Sequence, residues 1–174
     1  MEANHTLQMW LDEKEAISIR LAPTGVASHE TIRGTTGLAF IHGIGTGGMP
    51  PPPIAELMGF TPISGAPGHA VFQGLPGVMH YNPGGAVHGG YAATLLDLAV
   101  GGAIHTMLPA GKIYTTLELK INYVRAMTDK TGPVRAEGKV ISCGGQIGVA
   151  EGRITDASGK LYAYATTTCL IYNL

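Results

Sequence analysis

The sequence predicts an α+β fold in which a curved antiparallel sheet wraps one long helix, and three observations predict it. A run of helix formers from about Gly89 to about Leu108 carries a single charged residue, Asp97, so this helix reads as buried. Beyond Pro109-Ala110-Gly111 the chain reads as strand to its end, with turn residues between the strands. One long helix followed by consecutive antiparallel strands calls for a sheet that folds around the helix.

The elements follow in order. Residues 7 to 20 set Leu7, Trp10, Leu11, Ile17 and Ile19 among Asp12, Glu13, Lys14 and Glu15, which suits a short amphipathic helix. From Gly34 to Pro53 the chain is rich in Gly and Pro. Its stretch Gly43-Ile44-Gly45-Thr46-Gly47-Gly48 has the G-x-G-x-x-G spacing of dinucleotide sites, but Met49 is followed by four prolines where such a site opens a helix. A covering loop is expected there instead. Ile54 to Phe60 suits a helical turn, and Ala70-Val71-Phe72 and Val78-Met79-His80-Tyr81 read as short strands. The chain thus divides into an N-terminal extension, residues 1–60, and a main domain, residues 61–174.

After the helix, Thr115, Leu117, Leu119, Ile121 and Tyr123 alternate with Thr116, Glu118, Lys120 and Asn122, the period of a strand with one buried face. Val134 to Ser142 and Gln146 to Thr155 form a hairpin about Gly144-Gly145. Asp156-Ala157-Ser158-Gly159 then turns the chain into a last strand, Leu161 to Tyr172, so a meander is expected.

Composition bounds the function. The 174 residues carry a formal net charge of -1, which gives no basic field for nucleic acid or an anionic membrane. Hydrophobic residues make up 45% and charged residues 13%, a balance that suits a chain partly covered in an oligomer. Cys143 and Cys169 are too few for a disulfide framework or a zinc site. The seven histidines show no metal-ligand spacing, and no G-x-S-x-G elbow is present, so neither a metal nor a serine nucleophile is expected. The first residues lack the features of a secretory signal, and no run approaches the ~20 apolar residues of a membrane span. A cytoplasmic protein is expected.

The chemistry concentrates between Asn82 and Gly102. Leu95, Leu98, Ala99 and Gly102 share one side of the helix, and Gly90, Ala93, Thr94, Asp97 and Gly101 share another with little bulk. A lone carboxylate in an apolar helix costs several kcal/mol to bury, so Asp97 is either paired or retained for a task. His88-Gly89-Gly90 at the helix start lets a ligand approach bare N–H groups at the positive end of the helix dipole, where a polarised carbonyl oxygen sits well.

Asn82, His88-Gly89-Gly90 and Asp97, with Leu119-Lys120-Ile121-Asn122-Tyr123 and the turn Asp156 to Lys160, resemble the hotdog-fold acyl-CoA thioesterases of the phenylacetate-degradation (PaaI-like) type. The resemblance covers roughly residues 65 to 172. It implies a hotdog fold and hydrolysis of acyl-CoA or aryl-acyl-CoA without a cofactor. Gly89 or Gly90 would polarise the thioester carbonyl, and Asp97 would act as general base or nucleophile. Asn82 and His88 would shape the site, and Thr115 or Thr116, with Thr116 preferred, would be the substrate-side hydroxyl of the first strand after the helix. Many relatives carry a basic residue in the turn that here reads Gly144-Gly145. Its absence keeps open a non-catalytic module that binds an acyl-CoA or aromatic ligand. A hydratase is disfavoured, because five residues after Asp97 stands Gly102 in place of that type's His.

Helix geometry adds a constraint. At ~1.5 Å rise per residue, the eight steps from Gly89 to Asp97 span about 12 Å, too far for both to serve one carbonyl. A homodimer, or a homotetramer built from such dimers, with antiparallel helices would bring the helix start of one subunit to the Asp97 of the other.

Overall fold

The computed structural model describes residues 2–174. Four helices come first: α1 (Glu2–Ser18), α2 (His29–Gly34), α3 (Gly37–Thr46) and α4 (Pro53–Met58). The hairpin β1 (Thr61–Ala66) and β2 (His69–Gly74) follows, then a 3-10 turn (Val78–His80) and the long helix α5 (Gly89–His105). Four strands complete the chain: β3 (Lys112–Tyr123), β4 (Val134–Cys143), β5 (Ile147–Asp156) and β6 (Leu161–Asn173). All six strands form one sheet in the order β1-β2-β4-β5-β6-β3, every pairing antiparallel. This is the expected α+β architecture, a hotdog fold.

The sheet holds α5 through two contiguous apolar clusters. Tyr91, Leu95, Leu96 and Ala99 pack on Phe72, Ala136, Ile154 and Ala165, and Val100 and Ile104 pack on Ala150, Cys169 and Ile171. Leu95, Leu96, Ala99, Val100, Ala103 and Ile104 are all fully buried, and each large side chain so placed contributes about 1.5–3 kcal/mol of hydrophobic stabilisation. The approach is close because Gly138 of β4 and Gly152 of β5 pair with each other beneath the helix. A Cβ on Gly138 would overlap the Ala99 carbonyl, and one on Gly152 would lie 2.6 Å from Val100 Cγ1.

Four expectations change. The Gly34–Pro53 stretch is not a covering loop: Gly37–Thr46 forms α3, capped by the Thr36 hydroxyl and ended by Gly47 in the left-handed conformation at φ 82°. Its glycines are points of close approach, since a Cβ on Gly37 would overlap the His105 carbonyl and one on Gly43 would lie 2.6 Å from Met49 Cγ. The G-x-G-x-x-G spacing falls at the end of this helix, where no N–H groups face a phosphate. Val78-Met79-His80 forms the 3-10 turn in place of a strand, with Tyr81 in only an isolated bridge to Val87. The sheet is not a plain meander either, because β3 crosses to pair with β6 and becomes an edge strand.

The fourth change concerns the faces of β3. Its register with β6 slips between Thr116 and Glu118, a bulge at Leu117. Leu119 and Ile121 pack on the core as the alternation predicts, whereas Thr115 and Leu117 point outward, Leu117 with 58% of its surface exposed. Thr116 therefore turns towards α5.

Candidate active site

The site is carried by the stripe of α5 that the sheet does not cover. Gly90, Ala93, Thr94, Asp97 and Leu98 are half-buried, in contrast to the fully buried Leu95, Leu96, Ala99 and Val100 of the opposite side. Asp97 Oδ1 accepts a hydrogen bond of 2.9 Å from the Thr116 hydroxyl, across from helix to edge strand. That single bond fixes the carboxylate and leaves Oδ2 with no protein donor among the described residues. Behind Thr116 stands the buried Cys169, whose Sγ lies 4.0 Å from Thr116 Oγ1. Burial pushes the thiol of Cys169 up, its bonds to Thr167 and Thr116 oppose that, and the charge of Asp97 adds to the rise. Tyr114 is likewise raised, by burial first and by the Asp97 and Cys169 charges next. Tyr114 and Cys169 are thus held neutral beside the Asp97 carboxylate.

The start of α5 makes the second half. His88 is the N-cap, in extended conformation, and its Nδ1 accepts the Gly90 N–H at 2.9 Å while its carbonyl accepts the Tyr91 N–H at 3.0 Å. The Gly89 N–H, at the first helical position, has no acceptor among the described residues. His88 thus takes Gly90 out of contention and leaves Gly89 as the available donor. Asn82 Oδ1 accepts the N–H groups of Gly84 and Ala86 at 2.9 and 3.4 Å, which closes the turn leading to His88. Asn82, His88 and Gly89 line one cavity of about 300 Å3 together with Tyr123 and Arg125. Tyr123 also donates its hydroxyl to the Gly89 carbonyl at 3.2 Å.

The structure brings Asn82, His88, Gly89 and Gly90 together at one end of the helix and Asp97 with Thr116 at its middle, and within one chain these two groups do not meet. Thr115 belongs to neither, being exposed on the outer side of β3. Two features were not anticipated. Lys112, at the start of β3, donates from Nζ to the Gly145 carbonyl at 3.0 Å, so a cation does reach the Gly144-Gly145 turn, from the edge strand rather than from the turn itself. Arg135 pairs with Glu13 at 2.7 Å and lies 4.4 Å over the Trp10 ring, tying α1 to the sheet. Among the described residues no group of three or more His, Cys, Asp or Glu is placed to hold a metal ion, and no helix is long and apolar enough to cross a membrane.

This arrangement has known counterparts. Residues 84–163 match the family described as Thioesterase superfamily. A solved conserved protein from Pseudomonas aeruginosa is 32% identical, with 69% of this chain and 94% of that one covered and a TM-score of 0.65. The chain belongs to the thioesterase superfamily. Its likeness extends to the phenylacetic acid degradation protein PaaI of Thermus thermophilus, solved as a mutant, at 27% identity over 68% of this chain and 97% of that one with a TM-score of 0.61. A putative esterase of Halobacterium salinarum is 39% identical over 77 residues, which are 42% of this chain and 49% of the relative. The chain spans about half the length of the curated relatives it matches.

Proposed function

We propose that this chain is a thioesterase that hydrolyses acyl-CoA or aryl-acyl-CoA to the free acid and coenzyme A. The observation that carries the reading is Asp97: a carboxylate on the open stripe of α5, steadied through Oδ1 by Thr116, with Oδ2 left without a hydrogen-bond donor among the described residues. Oδ2 takes a proton from water as the water oxygen attacks the thioester carbonyl. The carbon–sulfur bond then breaks and the proton passes to the departing sulfur, leaving carboxylic acid and thiol. Attack by the carboxylate itself, through an anhydride that water cleaves, uses the same atoms. The Gly89 N–H at the positive end of the helix stabilises the oxyanion, a contribution of roughly 3–4 kcal/mol for one such donor in a protease.

Because Gly89 and Asp97 stand about 12 Å apart on one helix, the working unit in this reading is a homodimer, or a homotetramer of such dimers. Each site takes its N–H from one subunit and its carboxylate from the other. Lys112 would supply a cation for coenzyme A phosphate beside the Gly145 turn. The test is a panel of acyl-CoA and aryl-acyl-CoA thioesters assayed by release of free thiol. Turnover of at least one, abolished in Asp97→Ala, supports the reading, and binding without thiol release from any member would make the chain a ligand-binding module.

A further inference from the structure

The C-terminal half of the α5 stripe is roofed by a part of the chain that precedes every residue matched to the family. Leu98, Gly102 and His105 continue the stripe beyond Asp97 and, with Tyr114 of β3, floor a cavity of about 280 Å3. Its roof is Ile32, Phe40 and Ile44, from α2 and α3, and Val26 of the connection before them stands at its mouth. The roof is docked by backbone as well as side chains. The Gly37 N–H donates to the Leu108 carbonyl at 3.0 Å, and the Phe40 ring stands edge-on to His105 with centroids 5.3 Å apart. His105 in turn meets the Tyr114 ring at 5.7 Å. No Asp, Glu, Lys or Arg lines this space, and burial lowers the pKa of His105, so its walls are aliphatic and neutral aromatic.

Asp97 does not line the cavity, but two residues that do stand next to it: Leu98 in sequence and Tyr114, which feels its charge. Tyr114 shares the helix-facing side of β3 with Thr116, two residues before it. We infer that this cavity receives the apolar acyl group of the thioester, with the carbonyl at its rim beside Asp97, and that the α2–α3 segment is the wall that sets acyl selectivity. The inference rests on the thioesterase reading. A cavity of about 150 Å3 accepts benzene, so this space takes a ring on a short spacer or an alkyl chain of similar bulk. It offers nothing to a charged acyl group, whose desolvation would go uncompensated. Relatives matched over 94–97% of their own length cover only 68–69% of this chain, so a wall outside the shared part is a feature through which this chain differs from them.

The test uses the full chain and two variants, Ile32→Trp in the roof and Val26→Trp at the mouth. Val26 is 87% exposed, so its replacement leaves the core undisturbed. Thiol release is measured with acetyl-CoA, hexanoyl-CoA and phenylacetyl-CoA. The expected result is a kcat/KM for one or both larger acyl groups at least about tenfold above that for acetyl, and a fall in this preference by about tenfold in each folded variant. A preference for acetyl in the parent protein, or an unchanged preference in both variants, overturns the inference. If no thioester is turned over, the hydrolase reading fails on its own, and the cavity is judged by calorimetric titration with S-hexyl-coenzyme A and coenzyme A. Tighter binding of the hexyl thioether that is lost in Ile32→Trp supports the cavity's role. Equal affinity for the two ligands overturns it.

Discussion

The two halves of the open stripe on α5 are finished by different means. From Leu98 to His105 the chain supplies its own cover, with Gly37 seated on the end of the helix and Phe40 against His105. From Gly90 to Thr94 the stripe stays half-exposed, and the edge strand beside it shows Leu117 and Tyr123 at 58% and 57% exposure, with Val124 just past its end at 52%. The helix itself is much the same in both halves, small residues on one side and large on the other. What differs is the use of the small residues. Gly101 makes room for the Tyr114 hydroxyl and Gly102 for the Phe72 ring, whereas Gly90 makes room only for the His88 ring that caps its own helix and Ala93 stays half-buried. A stripe of small residues left open beside an apolar edge is where the proposed dimer would seat its second copy, and Asp97 lies at the border of the two halves.

The strongest way to break that division is at the border itself. Asp97→Ala should lower kcat/KM by about 10^3-fold, within the range expected for loss of a general base. Its one protein hydrogen bond among the described residues is the charge-assisted one from Thr116, so the unfolding free energy should fall by no more than about 1.5–3 kcal/mol. Thiol release and thermal unfolding read the two together. Full turnover in a folded Asp97→Ala protein would move the chemistry off this helix.

The bare half can be tested by complementation. Gly89→Pro deletes the free N–H at a first helical position, where proline is accepted, and His88 before it is already extended at ψ 138°. The proline ring meets Tyr123, an exposed side chain able to yield. Gly89→Pro and Asp97→Ala proteins should each be inactive, yet co-refolded in equal amounts they should regain about a quarter of the wild-type sites. Half of the dimers are then mixed, and one of the two sites in each carries neither lesion. Activity no greater than the sum of the separately refolded controls, with subunit exchange confirmed by mass, would mean that each chain completes its own site.

The roofed half is sharpened by Gly37→Ala. The added methyl collides with the His105 carbonyl, a backbone atom that cannot rotate away, and should cost about 1–3 kcal/mol by lifting α3. Hydrogen exchange across Gly37–Thr46 should quicken while β4, β5 and β6 keep their protection. Unchanged exchange in α3 would mean that the roof does not depend on this seat.

The sequence made one half of this comparison far more legible than the other. The helix, the hairpin about Gly144-Gly145 and the last strands follow from periodicity and turn chemistry, and Asp97 stood out as the only charge in an apolar run. The roof did not, because α3 is built from glycines that usually end helices. Here they serve packing against His105 and Met49, a tertiary fact that local propensity does not carry. β1 escaped notice because Pro62 and Gly65 lie within six residues of an edge strand. The order β6-β3 escaped because alternation marks a strand without naming its neighbour. The choice between Thr115 and Thr116 turned on the bulge at Leu117, which no residue in the strand announces.

That bulge supports the finest test. Thr116→Val keeps the volume but removes the hydroxyl, so Asp97 Oδ1 loses its donor at 2.9 Å and the carboxylate is free to rotate. A hydrogen bond to a charged group contributes about 1.5–3 kcal/mol. Water can replace part of that here because Asp97 is half-buried, so kcat should fall by about tenfold with KM little altered. Thr116→Ser should restore most of the rate. Thr115→Val, on the outer side of the same strand, should leave it unchanged. Loss of activity in Thr115→Val together with full activity in Thr116→Val would place the opposite face of β3 against the substrate, and Asp97 would then lose the partner that fixes its orientation in the proposed site.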